Sequence, residues 1–465
     1  MDPACASEVP GAMTARILAC LLVLPAFLLK SACAAEFAHR THSLTFEAAF
    51  DTPQEYDAAF GFDHWERVTP YLDMVMTGPG ILNTRVRAAN FRTMTYFDPN
   101  LCSATRGYGA NQYASPDCSD WPSRAFYTQP GHPDRTLSAS YDGKIIQRYG
   151  DPGSPEFQAR TTTLLRERVA HDQFELIEID DATSPEEFYS NLCWGVGRLQ
   201  DGGYDCASAA GGTAKAPFDA NVSRSQWQAG EAALAALSPR PVVFNGLQGY
   251  DGKERTASIA SVVVAAPNAW GAMCDTCFYG IEDRQNPYLW TSPILEVRLD
   301  GMMRVIGAGK NVFVVNPSVT NPAVRARALA DLMLAYDPDR LWQWGGACGE
   351  RSQIHVCPEA ALTFYEPYQA YPKNTASLAD PAGTYVREFA QCFDNGRSVG
   401  PCATVVNPDR VAAHAAPALR HTYRHTLVIH GTALCNCYGD TGAIFENGPS
   451  MPNSVPPASG YVIFQ

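Results

Sequence analysis

Polar side chains that could do chemistry recur at one kind of place in this chain: just past a short apolar run. Asp98 follows FRTMTYF, Asp180 and Asp181 follow FELIEI, Asn245 ends PVVFN, Asp275 follows AWGAMC and Asn316 follows NVFVV. If these runs are parallel strands ending at a common rim, the carboxylates and amides converge there while the strand interiors stay apolar. Such a rim suits a polyhydroxylated ligand. Two carboxylates facing across it are what glycosidic cleavage needs: one protonates the leaving oxygen, the other attacks the anomeric carbon or activates water. The plain alternative for any one strand-end Asp is a helix N-cap.

Successive strand residues face opposite ways, so Asp180 and Asp181 are not both expected to enter the site. Asp181, which opens a loop, is favoured as catalytic with Asp180 as its partner, and Glu178 shares the face of Asp180. Asp275 lies between Cys274 and Cys277 and is expected to be the more desolvated carboxyl. It is therefore assigned the general acid and Asp181 the nucleophile or base, the reverse division remaining open. Asp98, Asn245 and Asn316 are expected to bind substrate. Trp344 and Tyr279, aromatic residues near strand ends, are expected to stack on sugar faces.

The elements that must position these groups are read from patterning. Strand-like runs cover residues 72–77, 91–97, 144–148, 174–180, 241–246, 269–274, 311–316 and 340–344, with helix-like stretches at 156–171, 223–237, 287–306 and 322–336. Eight strands alternating with helices predict an α/β fold, a (β/α)8 TIM barrel. From about Thr384 the pattern turns to strands and turns alone, predicting a small C-terminal all-β domain. The expected division is residues 1–35 as a signal peptide, 36–375 as the barrel and 376–465 as a β-sandwich-like domain. No glycine-rich phosphate loop follows a strand, so neither a dinucleotide cofactor nor a metal is expected.

Residues 17–29 are almost wholly apolar, follow Arg16 and run into Ser31-Ala32-Cys33-Ala34-Ala35, the order of a secretory signal peptide. Cleavage near Ala35 would deliver a secreted or periplasmic protein. Anchoring through Cys33 is the alternative, disfavoured by Lys30. No later apolar run is long enough to cross a membrane. Three of the fifteen cysteines precede that cleavage. The rest form local couples: Cys102 with Cys118, Cys193 with Cys206, Cys274 with Cys277, Cys348 with Cys357, Cys392 with Cys402 and Cys435 with Cys437. Such couples behind a signal peptide read as loop-pinning disulfides, with redox or metal chemistry as alternatives for Cys274 and Cys277. A net charge of −13 argues against a nucleic acid partner.

The run YGDPGSPEFQARTTTLLRERVAHDQFELIEIDDA (149–182) resembles secreted bacterial glycoside-hydrolase-like barrels distantly related to endo-polygalactosaminidases. In these an Asp-Pro-Gly turn precedes a helix and then a strand ending in aspartates. PVVFNG, GAMCDTC, KNVFVVNPS and CATVVNPD match later landmarks, and the resemblance spans most of residues 70–465. It implies a polysaccharide or oligosaccharide substrate, with Asp180 or Asp181 and Asp275 as the carboxylates. One departure stands out: Asp275 occupies a place where a Glu is more familiar. The alternative function is a catalytically inactive barrel that binds glycans.

Overall fold

The computed structural model describes residues 42–46, 73–77, 92–103, 116–129, 131–141, 145–182, 193–196, 224–247, 255–280, 288–315, 321–344, 362–394, 397–429 and 446–465. Its centre is a curled parallel sheet. The strands are β1 (His42–Phe46), β2 (Met74–Thr77), β3 (Arg92–Phe97), β4 (Leu176–Ile179), β5 (Val242–Asn245), β6 (Ala269–Asp275), β7 (Asn311–Val315) and β8 (Leu341–Trp344). They pair in sequence order from β2 to β8, and β1 pairs in parallel with both β8 and β2. The connections from β3 to β8 each carry a helix: α1 (Pro155–Asp172), α2 (Arg224–Leu237), α3 (Arg255–Ala265), α4 (Ile294–Gly307) and α5 (Pro322–Leu334). Parallel neighbours need such long crossovers, and the helices cover the outer face of the sheet.

The strands are short, rich in β-branched and aromatic residues, and apolar on both faces. Their inner side chains, among them Met76, Met94, Leu176, Val243, Met273, Phe313 and Trp342, pack into one buried cluster. Phe313 stacks on Trp342 at a centroid distance of 5.5 Å. The outer set, including Ile177, Ile179, Val242 and Phe244, meets the helices. The β6 backbone approaches β7 closely at Gly271, where a Cβ would stand 2.3 Å from the Asn311 carbonyl oxygen. Helix starts follow local chemistry. The Ser154 hydroxyl accepts from the Phe157 N–H at the head of α1, and Asn321 Oδ1 accepts from Ala323 and Val324 at the head of α5. A proline fills the first position of each.

Two sequence expectations are corrected. The predicted run 144–148 forms a strand (Ile145–Tyr149), but it pairs antiparallel with Leu101–Ser103 and His132–Tyr141 in a separate sheet. Its partners are antiparallel strands, and no α-helix crosses over between β3 and it among the described residues to return it parallel to the ladder. The place left open in the parallel ladder is taken by β1, which the patterning did not reveal. Helix α3, RTASIASVVVA, was likewise unpredicted, its valine run reading poorly as helix. The helix expected over 287–306 begins only at Ile294, after the short pair Tyr279–Gly280 and Tyr288–Leu289.

C-terminal to β8, a six-stranded antiparallel sheet has the order Leu362–Pro367, Tyr385–Asp394, Arg397–Val406, Gly460–Phe464, His425–Val428, Glu446–Asn447. A two-stranded pair joins His414–Ala415 to Ser454–Val455. No helix occurs beyond Thr384 among the described residues. Helix α5 packs on this sheet: Thr404 Oγ1 donates to the Ala330 carbonyl (2.9 Å), and Arg327 binds Asp331 through both carboxylate oxygens at 3.0 Å. Disulfides join Cys102–Cys118, Cys274–Cys277 and Cys392–Cys402. The other three expected couples involve residues outside those described. No helix of the described residues is long and apolar enough to cross a membrane.

Candidate active site

The C-terminal ends of β3, β4, β5 and β6 are neighbours in the ladder, so their terminal side chains meet. Asp98 directly follows β3, Asp180 and Asp181 follow β4, and Asn245 and Asp275 end β5 and β6. Carboxylate oxygens of Asp98, Asp180 and Asp181 all lie within 4.8 Å of one another. The expectation that only one of the adjacent aspartates would enter is overturned. Asp181 adopts a left-handed backbone (φ 50°), which breaks the strand alternation and turns both carboxyls to the same rim. Asp is among the few non-glycine residues for which that conformation is cheap.

Asp180 is held from several sides. The Tyr96 hydroxyl donates to its Oδ2 in a very short hydrogen bond. Asn245 Nδ2 donates to Oδ1 at 2.6 Å, and the Asp181 N–H donates to the same oxygen at 2.8 Å. Asn100 Nδ2 donates to its carbonyl at 3.0 Å. Asp98 Oδ1 accepts from the Leu101 N–H at 3.0 Å. The Asp181 carboxyl accepts no hydrogen bond from the described residues. Asp275 Oδ1 accepts from the Thr276 N–H at 2.7 Å, and Thr276 is also left-handed (φ 48°). Behind this turn Arg298, fully buried on α4, donates to the carbonyls of Thr276 (2.5 Å) and Cys277 (2.8 Å). Its guanidinium lies 4.4 Å from the Trp290 ring centre, and Trp290 Nε1 donates to the same Thr276 carbonyl. The Cys274–Cys277 disulfide closes the turn around Asp275.

Burial and mutual repulsion raise the proton affinity of this group. Asp181 is pushed well above the carboxylate range, first by burial, then by Asp180, Asp98 and Asp275. Asp275 is pushed up to about 6 by burial and by Asp180, against the opposing pull of the Thr276 N–H and Arg298. Asp180 is also raised by burial, but its three hydrogen-bond donors work against the shift. One layer deeper, Glu178 is fully buried beside Tyr96 in register, with only the Phe97 backbone N–H among the described residues to ease its charge. Burial, then Asp180 and Asp98, keep it protonated far above the usual range. The rim thus holds several carboxyls whose proton affinity is raised, with the shift of Asp180 opposed by its three donors, the ingredients of acid–base catalysis. The spacing of Asp98, Asp180 and Asp181 would also let three oxygens reach one hard cation.

Asp98, Asp180 and Asp181 lie together at these strand ends, Asn245 is placed to orient Asp180, and Asp275 is near enough to interact with Asp180 and Asp181 electrostatically. Tyr279 is buried, with 3% of its surface exposed, in a two-residue strand beyond the rim. Trp344 ends β8, but its side chain is outside what is described, as is Asn316 altogether. Sequence reasoning missed Tyr96, Asn100 and Arg298. Tyr96 carried a usable signal, since it lies two residues past the inward Met94 and two before Asp98. Arg298, on a distant helix, carried none.

No family model and no curated protein matches the chain. Among solved structures it is similar to the glycoside hydrolase domain of PelA from Pseudomonas aeruginosa, at 11% identity and a TM-score of 0.39 over 68% of this chain and 100% of that one. It is also similar to Aspergillus fumigatus Ega3 in complex with galactosamine (9%, 0.37, over 69% and 96%). A noncanonic maltogenic alpha-amylase AmyB from Thermotoga neapolitana matches at 8% identity, TM-score 0.38, over 93% of this chain and 96% of that one.

Proposed function

We propose that this chain is a secreted glycoside hydrolase of (β/α)8 architecture with an appended C-terminal β domain, expected from about residue 376 and extended by the sheet pairing back to Leu362. The observation that carries the reading is the convergence of Asp98, Asp180, Asp181 and Asp275 at the C-terminal ends of adjacent parallel strands. In this reading Asp181 and Asp275 are the reacting pair and Asp180 is a positioning residue, its oxygens taken up by Tyr96, Asn245 and the Asp181 N–H. The electrostatics favour the reverse of the division first expected from sequence. Asp181, with three negative neighbours and no donor, keeps its proton and serves as general acid. Asp275, eased by the Thr276 N–H and Arg298, ionises first and serves as nucleophile or base. The three disulfides support export to an oxidising compartment.

The test is to screen oligosaccharides for release of reducing ends, then repeat the assay with Asp181→Asn and Asp275→Asn. Each variant is expected to lower turnover by about 10²–10⁴-fold while leaving the fold intact, since the amide keeps the shape but cannot exchange the proton or attack. Wild-type turnover in both variants would refute the site. Glycan binding without cleavage by the wild-type protein would favour the inactive glycan-binding alternative.

A further inference from the structure

The Asp-Pro-Gly turn that opens α1 borders a cavity of about 470 Å³ sharing no residue with the acid rim. Its polar wall is Tyr127, Asp151, Gln158 and Gln226, and its floor is small: Gly153, Ala229 and Gly230. The wall is rigidly built. Asp151 Oδ1 accepts from the Gly153 N–H (2.9 Å), Gln158 Nε2 donates to the Pro152 carbonyl (2.7 Å), and Ser154 Oγ donates to the Arg124 carbonyl (2.6 Å). Helix α2 presses onto this turn at Gly230, where a Cβ would lie 2.5 Å from the Gly153 nitrogen. Beside Gly230, Glu231 is fully buried, and the buried Trp227 indole one turn earlier is its side-chain partner. Tyr127 lies close enough to feel the charges of both Asp151 and Glu231.

We propose that this cavity is a second, non-catalytic saccharide site that takes a neutral sugar unit of the same glycan. This rests on the glycan-directed reading given above. The wall chemistry selects the ligand class. Carboxylate and amide side chains pair with vicinal hydroxyls, and among the described residues no Lys or Arg lines the cavity to hold an anion and no large aliphatic side chain lines it to hold an apolar group. Burial pushes Glu231 up to about 8, so behind the cavity it adds little negative charge at neutral pH. The volume falls in the range of small-molecule sites, roughly 300–1,000 Å³.

The experiment uses the full chain carrying Asp181→Asn and Asp275→Asn, so that nothing is cleaved, and titrates methyl glycosides of glucose, galactose and N-acetylglucosamine by calorimetry and saturation-transfer NMR. Ala229 is exposed on α2, so Ala229→Trp fills the cavity without entering the core. Adding it is expected to weaken binding by about tenfold or more. Gln226→Ala, also at an exposed position, is expected to weaken it in the same direction and guards against a folding defect in the Trp variant. Binding that is indifferent to both substitutions would overturn the second site while leaving the hydrolase reading standing. Absence of binding to any of the three glycosides would also overturn it, and the reducing-end screen then decides the hydrolase reading separately.

Discussion

Two of the places where this molecule buries carboxyl groups treat them in opposite ways. At the seam between α5 and the C-terminal sheet, Asp331 is fully buried but faces Arg327, which grips both of its oxygens. Burial still lifts it to about 6, while the guanidinium pulls the other way. Nearby Arg387 is buried too, and its Nη1 donates to the carbonyls of Met333, Leu334 and Tyr336. At the rim, the neighbours of Asp181 are further carboxylates, so burial and repulsion act together. The seam spends its charges on holding two layers in register. The rim keeps its charges frustrated, which is destabilising for the fold and useful for moving protons.

The largest expected effect tests the seam. Arg327→Ala should cost about 3–5 kcal/mol in denaturant unfolding, because it strands a buried carboxylate. A loss below 1 kcal/mol would break the contrast. Asp275→Asn should do the opposite, raising stability at neutral pH by on the order of 2 kcal/mol as activity disappears. The pH dependence has a definite sign. The folded-state value of Asp275, about 6, lies above its ordinary 3.8, so between them the native state holds more protons than the unfolded chain. This contribution is fully present below about 4 and is lost as pH rises through 6, a slope that Asp275→Asn should flatten in unfolding curves taken across the window. Tyr96→Phe removes one donor from Asp180 and should cost about 1 kcal/mol, with a shifted acid limb in the pH–rate profile. The smallest effect belongs to the exposed pair Arg92–Glu175, where Glu175→Gln should change stability by less than about 0.5 kcal/mol.

Much of the sheet was legible because seven of its strands are short, apolar-rich runs followed by polar residues, with NVFVV continuous at its centre. His42–Phe46 was not legible, since HSLTF stands apart from any helix-flanked pattern and its place is fixed by partners 30 and 300 residues away. The site was legible as a set of strand ends, because Asp98, Asn245 and Asp275 each end or follow an apolar run. Its inner organisation was not. The rule of alternation correctly puts Glu178 and Asp180 on one face, then fails at Asp181, where the chain leaves the strand conformation. The support of Asp275 was equally hidden, because Arg298 and Trp290 act from α4 and the segment before it.

The left-handed backbone at Asp181 also bears on how such a protein can evolve. Asn and Gly tolerate that conformation as well as Asp does, whereas bulky or β-branched residues do not. A single base change converts an Asp codon to Asn. On the proposed reading, the substitution most compatible with the fold is therefore also the one that would end catalysis, so that enzyme and carbohydrate-binding descendant would lie one mutational step apart.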